Sequence, residues 1–224
     1  MKRSQFKKNQ KIFEDKRLSE LQLKALRSQM NPHFVFNSLS AIQYYINEND
    51  FEASETYLVL FSKLIRQFFA LSKENDIVLE AEINLLKNYL DLEKLRFREK
   101  LNYKINVDKA LNIRTINIPT MLLQPIVENA VNHGIFNKVD TGLIVLNFIY
   151  MDTAVFKVEV IDDGVGFVNT QKRKNKNVKS SHVLTDRLHF LNQSGNWKIT
   201  YVTEEVSPDH DDKGNKAIFI IKKT

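Results

Sequence analysis

Hydrophobic residues in the first third of the chain recur at helical spacing. After the pair Asn31-Pro32 they continue at intervals of three and four residues, at Phe34, Leu39, Ile42, Tyr45 and Ile46. A polar turn over residues 47–50 separates them from a second apolar run over residues 51–71. Positions i, i+3 and i+4 share one face of a helix, so the pattern predicts a helical hairpin. Residues 10–30 have a thinner apolar stripe and predict a helix that needs a partner. Two copies of the hairpin would form a dimeric four-helix bundle.

From about residue 77 the pattern becomes mixed. A long helix over residues 80–98 is followed by alternating segments that predict strands over residues 101–107, 143–151, 155–161, 197–203 and 217–222. Helices are predicted over residues 119–135, with Pro119 in the first turn, and over residues 185–192. The polar, basic segment 168–181 is typical of a mobile loop. The fold class predicted is α+β, with helices on one face of a single sheet.

Composition narrows the class of protein. With 224 residues, 43% of them hydrophobic, and no cysteine, the chain predicts a folded protein of a reducing cytoplasm. Among residues 1–30, nine are basic and three acidic, a difference equal to the whole formal charge of +6. A nucleic-acid partner is therefore not expected, because the folded part has no net basic charge. The basic start fits either a flank after a membrane helix or a solvated helix end.

His33 is the first candidate for chemistry. Asn31-Pro32 is a helix-start pair, and Pro32 must bend or break any helix that precedes it. His33 therefore stands at an irregularity, and a neutral imidazole can attack phosphorus without prior deprotonation. The alternative is a packed core histidine between phenylalanines.

Two further motifs point to nucleotide chemistry. A predicted helix places Asn129, Asn132 and His133 on one face, and the Asn129 amide oxygen suits Mg²⁺. At the end of a later strand stands Asp162-Asp163-Gly164-Val165-Gly166. The Asp162 carboxylate can accept the amino hydrogen of adenine, while Gly164 and Gly166 let the backbone approach the base.

The three motifs together resemble the sensor histidine kinases of the LytS/YehU type. Residues 122–134 look like their N box, residues 162–166 like their first glycine box and residues 29–37 like their phosphoacceptor motif. The resemblance implies a Bergerat-type ATP-binding domain, a dimeric phosphotransfer module and autophosphorylation of His33 with Mg-ATP. It also implies transfer to an aspartate of a response regulator, of LytTR type. The corresponding domains are a basic linker helix over residues 1–17, a dimerisation and phosphotransfer module over 18–76 and an ATP-binding domain over 77–224. If the basic start flanks a membrane helix, the chain is the cytoplasmic part of an inner-membrane sensor.

The chain departs from the family pattern at several positions. Residues 179–188 contain no glycine where a second glycine box is usual. Two alternatives follow for Lys174 and its basic neighbours: their charge replaces that box, or they are simply solvated. Asn132 stands where lysine is frequent. Phe34 follows His33 where other histidine kinases place an acid, so Asn37 is predicted to orient the imidazole or a water, and Glu128 is the nearest acid.

Two other functions remain as alternatives. The first is a hydrolytic ATPase of the gyrase or MutL kind, in which a glutamate four residues before the asparagine that corresponds to Asn129 activates water. Here that residue is Pro125, which counts against hydrolysis as the main activity. A weakly nucleotide-binding dimeric scaffold that docks a regulator would suit the glycine-poor segment. The kinase is the prediction adopted here.

Overall fold

The computed structural model describes residues 32–166, 178–207 and 213–224, with only the backbone of residues 32–33 and 178–182. It begins with a helical hairpin, α1 (Pro32–Asn47) and α2 (Phe51–Leu71). The Asp50 carboxylate caps α2 by accepting the Ala53 amide at 3.1 Å. The predicted hairpin is thus confirmed. The helix expected over residues 10–30 and the basic linker lie outside the described residues.

The remaining described residues alternate strands and helices, in the order β1 (Asp76–Val78), α3 (Leu79–Phe97), β2 (Leu101–Val107), β3 (Asn117–Pro119), α4 (Gln124–Asn129), β4 (Gly142–Asp152), β5 (Val155–Asp162), α5 (Val178–Gln193), β6 (Trp197–Glu205) and β7 (Asn215–Lys223). A 3₁₀ turn (Arg98–Lys100) follows α3, and a π-helical turn (Ala130–Ile135) continues α4.

Five strands form one mixed sheet in the order β2-β4-β5-β7-β6, in which only the β2–β4 pair is parallel. Every second residue of the three central strands is buried, so one face is apolar and packs under the helices. The central buried residues are Ile144, Leu146, Phe148, Phe156, Val158, Val160, Ala217, Phe219 and Ile221. The predicted α+β class is confirmed.

Helix α3 lies between the hairpin and the sheet, which explains why it is buried on most sides. Its fully buried leucines are Leu79, Leu85, Leu86, Leu90 and Leu92. On the hairpin side, the Phe34 ring lies 5.7 Å from that of Tyr89, and the Tyr45 hydroxyl donates to the Leu95 carbonyl at 2.7 Å. The hairpin and the sheet domain are therefore joined through one shared helix.

Three expectations are corrected. Strands β1 and β3 were not predicted; they pair with each other in a separate small sheet. Pro119 does not begin a helix but ends β3, and Pro125 occupies the first turn of α4 instead. The intervening turn forms because the Thr120 amide donates to the Asn75 carbonyl and Met121 is left-handed (φ 54°). Helix α5 begins at Val178, within the predicted loop.

The alternation of the sheet predicts unequal effects of two Val→Ala substitutions. Val158 on β5 is fully buried and Val202 on β6 is 53% exposed. Val158→Ala should lower the free energy of unfolding by about 2 kcal/mol, from lost burial plus a cavity. Val202→Ala should change it by less than about 1 kcal/mol. Urea denaturation measures both, and equal losses would contradict the assigned faces.

Candidate functional site

The site is built around Asp162, the last residue of β5, whose side chain is almost fully buried at 4% exposure. One carboxylate oxygen accepts the Gly164 amide at 3.1 Å. The Asn215 side-chain amide lies 3.4 Å from both oxygens. Burial raises the pKa of Asp162 to about 6, while the Gly164 amide and Asn215 oppose that rise. The carboxyl is therefore ionised at neutral pH and oriented from two sides.

Two glycines bring the motifs of the sequence into contact. A Cβ built on Gly164 would lie 2.4 Å from the backbone of Gly134, and one on Gly134 would lie 2.5 Å from the Asp162 carboxylate. Only glycine fits at either position, because any side chain would overlap backbone or carboxylate atoms. The end of the π turn and the turn after β5 therefore meet directly beside Asp162. Gly166 is left-handed (φ 71°).

The last strand contributes a residue that sequence analysis missed. The Gly214 amide donates to the Gly164 carbonyl at 2.8 Å, and this hydrogen bond holds Asn215 next to Asp162. The Asn215 side-chain oxygen is buried and has no partner among the described residues. Its signal in the sequence is Gly214 just before the last strand, which looks like the family's final glycine box but is also typical of a plain turn. The Asn215 amide nitrogen faces the Asp162 carboxylate, whose oxygens are acceptors that fit an amino group.

The helix with the predicted metal ligand differs from a regular α-helix. Beyond Asn129 it widens into the π turn, where the Phe136 amide donates to the Val131 carbonyl at 2.9 Å. π turns are frequent at functional sites. The Asn132 side chain donates to the Glu128 carbonyl at 2.9 Å, and His133 is exposed. Asn129 is half-buried, close in sequence to the Gly134 contact.

Glu128, predicted as the acid of the site, faces α3. It accepts the Gln124 side-chain amide at 3.1 Å, and burial, with the charge of Glu93, raises its pKa to about 7. Glu93 on α3 is fully buried, and burial raises its pKa to about 7 although Arg96 opposes the rise. Sequence analysis missed this second buried acid, although Tyr89, Leu90 and Phe97, three or four positions away on the helix, are apolar and indicate a buried face.

The residues proposed for phosphate chemistry are described only in part. His33 lies in the first turn of α1, directly after Pro32, but its side chain is outside the described residues, as is all of Lys174. Phe34 packs on Phe61 and Tyr89, which fixes the start of α1 against α2 and α3. Asn37 is half-buried one turn further on.

No group of three or more His, Asp or Glu side chains able to hold a metal occurs within the described ranges. A magnesium ion at Asn129 would therefore take its other ligands from phosphate and water, as this ion commonly does. Among the same residues, no helix is both long and apolar enough to cross a membrane.

A helical hairpin joined to a mixed sheet, with a buried aspartate beside two glycines at a strand end, defines a two-part α+β protein. The histidine kinase family model matches residues 21–101. Sensor protein LytS of Oceanobacillus iheyensis is 32% identical over 152 residues, which is 68% of this chain and 25% of that protein. Sensor histidine kinase YpdA of Escherichia coli is 30% identical over 183 residues, 82% of this chain and 31% of that protein.

Sensor histidine kinase/phosphatase LytS of Staphylococcus aureus is 31% identical over 163 residues, 73% of this chain and 27% of that protein. The chain belongs to the histidine kinase family, in its LytS-type branch, and the predicted family is confirmed. It spans only about a quarter to a third of the length of these relatives.

The buried acids predict an unusual dependence of stability on pH. The pKa of Glu93 is about 7 in the folded chain against 4.5 for the ordinary side chain. Because the raised pKa means that the folded chain favours protonated Glu93, this residue stabilises the fold below pH 4.5, and its contribution is lost as the pH rises through 7. Glu93→Gln should therefore reduce the loss of unfolding free energy between pH 5 and pH 8, by on the order of 2 kcal/mol.

Urea denaturation at several pH values measures this slope. Glu99→Gln, at an exposed position just after α3, is the matched control and should keep the wild-type slope. An unchanged slope in Glu93→Gln would contradict the assignment.

Proposed function

We propose that this chain is the phosphotransfer and catalytic part of a sensor histidine kinase of a two-component system, phosphorylating His33 with ATP and passing the phosphoryl group to a response regulator aspartate. The observation that carries the proposal is the contact of the Gly134 and Gly164 backbones beside the buried Asp162 carboxylate. It joins the two nucleotide motifs of the sequence at one place, in a chain of the histidine kinase family.

Adenine is assigned to Asp162 and Asn215. The carboxylate accepts one hydrogen of the exocyclic amino group, and the unpartnered Asn215 oxygen is placed to accept the other. The missing side chain of Gly164 makes room for the Gly134 backbone, which brings the two motifs together beside that carboxylate, and Gly166 is assigned to the backbone that faces the base. This arrangement supports ATP over a nucleotide whose base has a carbonyl group in place of the amino group, since the carbonyl oxygen would face other acceptor oxygens.

The triphosphate is assigned to α4 and its π turn. Asn129 would hold Mg²⁺, which when bound neutralises phosphate charge. Asn132 and His133 lie within the same turn, and Lys174 would add positive charge from the following segment. The Asn132 amide must leave the Glu128 carbonyl to reach a phosphate, so we assign it a smaller part than Asn129.

At His33, a neutral imidazole nitrogen attacks the γ-phosphorus. The P–N bond forms, the bond from that phosphorus to the β–γ bridging oxygen breaks and ADP leaves. The imidazole proton is then lost to solvent or to a nearby base. Positioning and charge neutralisation supply most of the rate enhancement in such transfers. Asn37, one turn along α1, orients the ring, or a water that dephosphorylates the regulator.

A response regulator, of LytTR type by resemblance, is the partner we propose. A relative is named a kinase/phosphatase, which supports the second role proposed for Asn37. The basic character of residues 1–30 supports a cytoplasmic position next to a membrane sensor segment. In this proposal residues 1–17 form the linker, 18–76 the phosphotransfer module and 77–224 the ATP-binding domain.

The hairpin further supports a homodimer. Its exposed large apolar residues are Phe36, Leu39, Tyr44, Ile46, Phe51, Leu58, Val59 and Phe69, all at least 47% exposed. A patch of this kind on two adjacent helices is typical of an interface. A second hairpin would cover it and complete a four-helix bundle.

Incubation with γ-labelled ATP and Mg²⁺ tests the kinase proposal. We expect label on the wild type that is labile in acid and stable in base, as a phosphoramidate is. His33→Gln should abolish it, while His189→Gln, at an exposed histidine on α5, should keep it. Asp162→Asn should weaken ATP binding at least about tenfold, since the amide presents a donor to adenine.

Asp163→Asn is the control for the binding measurement, because the Asp163 side chain is 48% exposed and pairs with Lys138 instead. Acid-labile label that persists in His33→Gln would overturn the assignment of the acceptor. Nucleotide binding without any label would instead favour the docking scaffold.

Dimerisation is tested by sedimentation velocity at micromolar concentration. The wild type should be a dimer, and Leu58→Asp should be a monomer because a charge would be buried in the bundle. Val202→Asp, similarly exposed on β6, should remain a dimer. A monomeric wild type, or a dimeric Leu58→Asp variant, would refute the proposed interface.

A further inference from the structure

A short turn, residues 120–123, leads into α4 and has an unfavourable backbone conformation. Met121 is left-handed (φ 54°), although its side chain is large and fully buried. Such a conformation costs roughly 1–2 kcal/mol for a residue with a Cβ, so surrounding contacts must enforce it. The turn ends where α4 begins, at Gln124, and Asn129 lies at the other end of that helix.

One peptide group in this turn is held from both sides by opposite charges. The Thr120 carbonyl accepts a hydrogen bond from Arg187 on α5, and the Met121 amide of the same peptide group donates to Glu82 on α3 at 2.9 Å. Arg187 also donates to the Met121 carbonyl at 2.8 Å, and Glu82 also accepts the Leu123 amide at 3.1 Å. We call Glu82 and Arg187 the clamp.

The clamp buries two charged groups that do not pair directly with each other. Glu82 is fully buried, and burial raises its pKa to about 7 although three backbone amides and Arg187 oppose the rise. Burial likewise lowers the pKa of Arg187, which the charge of Glu82 opposes. Buried charges seldom add net stability compared with apolar residues of similar volume. Their placement here is explained by the geometry that they impose on the turn.

We propose that Glu82 and Arg187 are positioning residues of the kinase reaction, which fix the entry of α4 so that Asn129 is presented to the metal and phosphates. The far end of this segment is pinned by the contact of Gly134 with Gly164. Asn129 lies between that contact and the clamp, so release of the clamp lets α4 tilt about Gly134. Because Arg187 belongs to α5, a shift of α5 would move the entry of α4 and with it Asn129.

The clamp acts on only one half of the nucleotide site. Asp162 and Asn215 lie on β5 and β7, held by the strand pairing itself, whereas Asn129 depends on the entry of α4. A loosened clamp should therefore weaken interactions with phosphate and metal while adenine binding persists. A residue needed only for folding would weaken both halves together.

The experiment compares adenosine with Mg-ATP in full-length Arg187→Lys, which keeps the charge but loses the planar fork. We expect calorimetry to show an adenosine dissociation constant within about twofold of wild type and a Mg-ATP constant raised about tenfold. The magnesium concentration that gives half-maximal labelling of His33 should rise as well. Glu82→Gln, from the other side, should show the same split. Arg114→Lys, at an exposed ion pair with Glu80, is the control and should change nothing.

Equal weakening of adenosine and Mg-ATP, or no change in either, would overturn the proposal. If Arg187→Lys does not fold, Glu82→Gln decides by the same criteria, and failure of both to fold would make the clamp a stability element only. The inference rests on the proposed nucleotide site but not on the identity of the acceptor. A wild type that binds Mg-ATP without labelling His33 would refute the kinase and leave this test intact.

Discussion

The close contact of the Gly134 and Gly164 backbones is the constraint on which the site depends. It holds the end of the α4 segment against the turn after β5 at a separation that no side chain permits. Because of it, the helical segment that contains Asn129 meets the strand end that contains Asp162. Burial disfavours the charged form of Asp162, but the Gly164 amide and the Asn215 side chain orient its carboxylate.

Helix α3 connects this site with the hairpin. Glu82 of this helix holds the entry of α4, and Tyr89, two turns further along the same face, packs against Phe34, which is next to His33 in sequence. The charges of the buried acids Glu93 and Glu128 contribute to raising the pKa of Tyr89. The hairpin and the entry of α4 therefore both contact α3.

The sequence correctly predicted those helices and strands that are defined by residues close together in the chain. The bounds of α2 and β2 agree with the periodicity because a polar turn and regular apolar spacing define them. Pro119 was misinterpreted because its turn is set by contacts with Asn75, Glu82 and Arg187, all distant in sequence. Within the site, Asp162 and Asn129 followed from motifs, whereas Asn215 resembled an ordinary turn. Glu82, Glu93 and Arg187 were missed, although each has mostly apolar residues three and four positions away on its helix, a spacing that predicts burial.

The central claim is that Asp162 and Asn129 hold the two ends of one ATP molecule. A crystal structure with Mg²⁺ and a non-hydrolysable ATP analogue tests it most directly. The account predicts the adenine amino nitrogen within about 3.2 Å of the Asp162 carboxylate and of the Asn215 side-chain oxygen. It also predicts the metal about 2.1 Å from the Asn129 side-chain oxygen. Adenine bound away from Asp162, or a metal coordinated without Asn129, would contradict the account.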